Sequence, residues 1–69
     1  MGERLANRLK ERRTELGLTQ AELAERVGVT RKTINTVENG VFTPSTILAL
    51  KLAGVLDRTV EQLFEIIED

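Results

Sequence analysis

With 69 residues, the chain has room for one small domain, residues 1–69, of the size that buries only about 60% of its unfolded surface. It contains neither cysteine nor histidine, which excludes disulfides, thiolate metal sites and imidazole proton shuttles. No metal or other cofactor is expected, and stability must come from packing a 41% hydrophobic composition built of Leu, Val, Ile and Ala, with Phe42 and Phe64 the only aromatic residues.

The net charge of −1 does not by itself suggest a nucleic-acid partner, but the charge is unevenly placed. Residues 1–32 carry eight Arg or Lys against five Glu, a balance of +3, and residues 33–69 carry two against six acidic residues, a balance of −4. Such a division suits an oriented surface that turns its acidic end away from phosphate. No run approaches the roughly 20 apolar residues of a membrane span, so no membrane partner and a cytoplasmic location are expected.

From Glu3 to Leu16 the apolar residues Leu5, Ala6, Leu9 and Leu16 recur at helical spacing, and Gly17 follows as a stop, which predicts a first helix. Arg13 falls on the apolar line of this helix. An inward guanidinium requires a carboxylate partner, because an unpaired buried charge costs several kcal/mol.

Leu18 precedes Thr19, which can cap a helix over Gln20–Val27, with Glu22 reaching back to close a capping box. Leu18 and Leu23 are placed as a hydrophobic staple. Gly28 stands where the chain must turn with positive φ, and Gly40 repeats the device after the third helix. Thr30 caps that helix, Arg31 to Glu38 or Asn39. Its Ile34 and Val37 face a core shared with Leu23, Val27 and Val29, and Ala24 is small where the two helices cross. Arg31, Lys32, Asn35 and Thr36 are left on the outer side with Thr33 at the margin. These are side chains that can read base edges: Arg and Lys donate to guanine, Asn pairs with adenine, and a Thr methyl touches thymine.

The exit loop Asn39–Pro44 offers Asn39 as a phosphate ligand and Phe42 as a contact across the junction with the next helix. Ser45 caps the fourth helix, whose Ile47, Leu48, Leu50, Leu52, Ala53, Val55 and Leu56 fill so wide an arc that it is expected to lie centrally, covered from several sides. Gly54 within it marks either a close backbone approach or a tolerated surface position. Thr59 and Gln62 form a second capping box at the start of a fifth helix holding Val60, Leu63, Phe64, Ile66 and Ile67. Ile66 cannot easily join the face of the others, so Ile66 and Ile67 are candidate dimer contacts.

The segment from Thr19 to Gly40 resembles the Cro and phage-repressor (XRE-like) family of helix-turn-helix regulators. The resemblance rests on Thr19-Gln20, Ala24, Gly28, the Leu23/Val27/Val29/Ile34/Val37 set and the closing Glu38-Asn39-Gly40. It implies an all-α, five-helix, lambda-repressor-like fold with helix three as the recognition helix. It further implies base contacts from Arg31, Lys32 and Thr36, with Thr33 and Asn35 divided between bases and phosphates, a phosphate contact from Gln20, and a salt bridge between Arg13 and Glu38. Many members carry Lys or Arg directly after the turn glycine, where this chain has Val41.

The expected function is that of a sequence-specific DNA-binding transcriptional regulator: a homodimeric repressor that reads an inverted repeat in double-stranded DNA. A protein-interaction module of antitoxin or anti-repressor type on the same fold is the alternative, favoured by Val41 and the near-neutral total charge. Enzyme chemistry finds no support, since the carboxylates alternate with basic residues at helix-surface spacing and no phosphate-binding glycine loop is present. Nor is there room for a small-molecule sensing domain.

Overall fold

A computed structural model describes residues 2–68. The order of elements is β1 (Glu3–Asn7), α1 (Leu9–Glu15), α2 (Gln20–Val27), α3 (Arg31–Glu38), α4 (Thr46–Leu56), α5 (Val60–Leu63) and β2 (Phe64–Glu68). The five expected helices are there, but the chain is not all-α, because its two ends pair as an antiparallel ladder.

That ladder corrects the first and fifth helices. Leu5 and Leu9 are four residues apart, so residues 3–7 mimic a helical stripe, yet they form a strand with Leu5 opposite Ile66 and Asn7 opposite Phe64. Helix α5 stops after four residues, and the Phe64-Glu65-Ile66-Ile67 run that follows is rich in the aromatic and β-branched types that fit a pleated surface. In a strand, residues two apart share a face. Ile66 therefore lies on the same side as Phe64 and Leu5, not on an odd helical angle. Phe64 is buried and Leu5 packs against the core, whereas Ile66 sits further out along the ladder and is 65% exposed. The pairing continues past the strands through the Arg8 amide, which donates to the Leu63 carbonyl at 2.8 Å, and is clamped by an ion pair from Arg8 Nη2 to Glu65 Oε1 at 2.9 Å.

The caps of the middle helices form as their chemistry requires. Thr19 Oγ1 accepts from the Glu22 amide while the Thr19 amide donates to Glu22 Oε1, and Thr30 and Ser45 accept from the amides of Thr33 and Leu48. Gly28 closes α2 at φ 75, a left-handed conformation that a Cβ would strain, and the turn is fixed by the Val29 amide donating to Ala24. Between α2 and α3 lie Leu23, Ala24, Val27, Ile34 and Val37, all buried, joined by Leu9, Leu18, Leu52, Leu56 and Leu63 in one core.

Helix α4 differs from expectation. Leu48, Leu52 and Leu56 form its buried line, but Ile47 and Leu50 are 68% and 61% exposed, so one side is left uncovered. Apolar residues around the whole helix identify surface available for burial, and only the flank facing the core is used within this chain. Gly54 is exposed, with nothing near the position a Cβ would take, so it is a tolerated surface glycine. Phe42 is half-exposed rather than packed away. No helix among the described residues is long and apolar enough to cross a membrane.

Candidate nucleic-acid interface

Helix α3 is held by its apolar stripe: Ile34 is fully buried and Val37 nearly so. With those two side chains directed inward, the 3.6-residue period turns Arg31, Lys32 and Asn35 outward, and all three are exposed. The side chains of Arg31 and Lys32 enter no hydrogen bond or ion pair among the described residues. Together with Gln20 at the start of α2, they and Asn35 line a shallow hollow. An adjoining hollow at the N-terminus of α2 is lined by Arg13, Thr19, Gln20, Ala21 and Arg31 among others. Exposed cations beside a helix start, where free amides and the helix dipole favour anions, make this a surface suited to phosphate.

The two threonines are less available than the cations. Thr33 and Thr36 are half-buried; the Thr33 hydroxyl pairs with that of the cap residue Thr30 at 3.1 Å, and the Thr36 hydroxyl donates back to the Thr33 carbonyl at 3.0 Å. The Thr36 carbonyl also accepts from the amides of Val41 and Phe42, which fixes the exit loop to the helix. In that loop Val41 is 79% exposed and contributes no charge.

The Arg13 and Glu38 side chains meet between α1 and the end of α3. Arg13 Nε lies 2.7 Å from Glu38 Oε2 and Nη2 lies 3.1 Å from Oε1, a bidentate pair, while Nη1 donates to the Leu18 carbonyl. The side chains are 11% and 3% exposed. The hydrogen bonds that Arg13 donates to Glu38 raise the Arg13 pKa above its ordinary value, against the opposing effect of burial. Gln20 is tied to this pair, its Nε2 donating to Glu38 Oε1 at 3.1 Å, and Asn35 and Asn39 continue the contacts outward.

The charge asymmetry along the sequence is only partly a surface property. Of the basic residues in the first half, Arg8 pairs with Glu65, Arg12 reaches the Leu56 carbonyl and Glu15, and Arg13 is buried on Glu38. Within residues 20–39, that leaves Arg26, Arg31 and Lys32 as the basic side chains near the turn, with Arg26 close enough to Glu22 to act on its charge.

One positioning residue escapes sequence reasoning. Asn7 uses Oδ1 to accept from the Leu9 amide at the start of α1 and Nδ2 to donate to the Val37 carbonyl at 2.9 Å, so it ties the ladder to the last turn of α3. Its signal is an Asn two residues ahead of a helix start, which is concealed when residues 3–16 are read as one helix. Ile66 and Ile67 lie on opposite faces of β2, the first exposed and the second half-buried.

Two helices crossing at a left-handed Gly turn, the second with an anchored inner face and a cationic outer one, define a helix-turn-helix protein. The chain belongs to the helix-turn-helix family of transcriptional regulators of Cro and phage-repressor type, whose helix-turn-helix model matches residues 9–63. It is 55% identical over 62 residues to an uncharacterized HTH-type transcriptional regulator of Methanothermobacter thermautotrophicus, a match covering 88% of this chain and 90% of the relative. Among solved structures it is similar to the restriction-modification controller protein C.AhdI from Aeromonas hydrophila, at TM-score 0.75 and 40% identity over 80% of this chain and 83% of that one. It is likewise similar to the biofilm master regulator SinR solved in complex with DNA, at TM-score 0.72 and 34% identity over 78% and 87% of the two chains.

Proposed function

We propose that this protein is a sequence-specific DNA-binding repressor that acts as a homodimer, with α3 of each copy in successive major grooves of an inverted-repeat operator. The observation that carries the reading is the outer face of α3, where Arg31, Lys32 and Asn35 are exposed beside the start of α2. Arg31 and Lys32 are the principal base donors, and Asn35 reads an adjacent base. Gln20 and Asn39 hold phosphates, and Thr33 and Thr36 contribute through their margins. The likeness to SinR, a regulator solved with DNA bound, supports DNA as the partner here.

A second copy covers the uncovered side of α4. Leu50 borders an apolar groove that also takes in Leu5, Pro44, Ala49, Val60 and Phe64; Ile47 lies one turn before it, and Ile66 lies opposite Leu5 on the ladder. This shifts the dimer surface from a helical tail carrying Ile66 and Ile67 to α4 and one face of the ladder, where Ile66 takes part and Ile67 lies on the other side. Two-fold pairing sets the recognition helices about 34 Å apart, one turn of duplex.

Selection of bound duplexes from a random pool at fixed salt is expected to return a symmetric consensus with half-sites about 10 base pairs apart. Sedimentation is expected to show a dimer that becomes monomeric on Leu50→Glu. Failure to enrich any duplex, with binding indifferent to salt, would instead support the protein-interaction module, which the exposure of Val41 and Phe42 at the end of α3 favours.

A further inference from the structure

The polar side chains from the buried ion pair to the outer face of α3 form one continuous hydrogen-bonded chain. Glu38 accepts from Arg13 on both carboxylate oxygens and from Gln20 Nε2 at 3.1 Å. Gln20 Oε1 accepts from Asn35 Nδ2 at 3.4 Å, and Asn35 Oδ1 accepts from Asn39 Nδ2 at 3.2 Å. An ionised carboxylate can only accept, whereas an amide carries two hydrogens on nitrogen and two lone pairs on oxygen. The direction of every link is therefore dictated by the one before it, starting from Glu38. Turning the Asn35 amide over would set its oxygen against that of Gln20 and its NH2 group against that of Asn39.

We propose that Glu38 and Gln20 are positioning residues for base recognition. The buried carboxylate fixes, through Gln20, the single orientation in which exposed Asn35 presents its amide, and in that orientation the amide pairs with adenine. The proposal rests on the reading of α3 as the DNA-recognition helix. Asn35 uses one hydrogen on Gln20 and one lone pair on Asn39, which leaves one hydrogen and one lone pair. Those two are the complement of the N7 acceptor and N6 donor that adenine offers in the major groove. Glu38 thus does more than neutralise Arg13: it carries a fixed polarity from the core to the surface.

The test compares base preferences, position by position, among duplexes selected by the wild type, Gln20→Met, Asn35→Ala and the double variant at one salt concentration. Gln20→Met removes the middle link and leaves the Arg13–Glu38 pair in place. Asn35→Ala is expected to identify one operator position at which the wild type prefers adenine roughly tenfold. Gln20→Met is expected to flatten that same position, to spare the preferences at other positions, and to change nothing there when added to Asn35→Ala. A uniform loss of affinity with all preferences kept would make Gln20 a phosphate ligand alone and overturn the proposal, as would an Asn35→Ala profile equal to that of the wild type. The side-chain amide signals of Asn35 and Asn39, observed by NMR without DNA, are expected to move in Gln20→Met; unmoved signals would show that no relay exists. A wild type that binds no duplex while those signals do move would overturn the DNA reading, and the proposal with it, but not the relay.

Discussion

Arg13 and Glu38 join α1 to the last turn of α3 through two parallel hydrogen bonds of 2.7 and 3.1 Å, in a site where the carboxylate is 3% exposed. Removing one partner strands the other charge in the interior. Arg13→Ala is therefore expected to lower stability by about 3–5 kcal/mol, while replacing both residues with apolar side chains of similar volume restores much of the loss. Urea unfolding of the single and double variants measures the coupling, and additive losses would show that the pair is not a unit.

Asn7 serves two helix ends at once, one as acceptor and one as donor. Asn7→Ala should lower stability by about 1–2 kcal/mol, because the Leu9 amide loses its side-chain acceptor and the Val37 carbonyl keeps only the Gly40 amide as a donor. Asn7→Asp is expected to do no better, because it keeps the acceptor for Leu9 but turns a carboxylate toward the carbonyl end of α3. Thermal unfolding of the two variants decides the matter.

Glu22 is held below its ordinary carboxyl pKa, first by the hydrogen bond from the Thr19 amide, then by the Thr19 side chain and by Arg26. A depressed folded-state pKa means that the native state binds fewer protons than the unfolded chain over the interval between the two values. The contribution is complete above the unfolded value, near pH 4.5, and disappears as pH falls through the lower folded one. Melting curves from pH 6 downward should show a shallower acid limb for Glu22→Gln than for the wild type. Because the carboxylate is fully exposed, the difference will be small and will shrink with added salt.

Val41 stands 79% exposed after the turn glycine, beside the end of α3. Val41→Lys should leave the melting temperature unchanged and tighten duplex binding. The slope of log K against log salt should steepen by about 0.9 if the new ammonium meets one phosphate. An unchanged slope would place this loop away from the backbone.

The middle of the molecule is legible in sequence because its determinants are local. Thr19 and Glu22 lie three residues apart, Gly28 turns the chain on its own, and Ile34 and Val37 set the rotation of α3 without help from distant segments. The ends are not. A strand at Glu3–Asn7 exists only because Phe64–Glu68 lies beside it, and pairing across some sixty residues leaves no periodic mark in either segment. The same limit applies to charge: Arg8, Arg12 and Arg13 count as basic along the chain but are engaged with Glu65, Glu15 and Glu38 in the fold. The outer residues of α3 could be named from spacing, whereas the polarity that Glu38 imposes on Gln20 and Asn35 depends on three helices meeting.

Backbone and side-chain NMR signals followed during titration with a duplex of about 20 base pairs at low salt test the account most directly, since sequence-independent binding in the range of about 10⁻⁴–10⁻⁶ M suffices for detection. Shifts should concentrate on Gln20, Arg31, Lys32, Asn35, Thr36 and Asn39. Shifts confined to α4 and the ladder, or none at all, would contradict the assignment of α3 as the DNA-reading element.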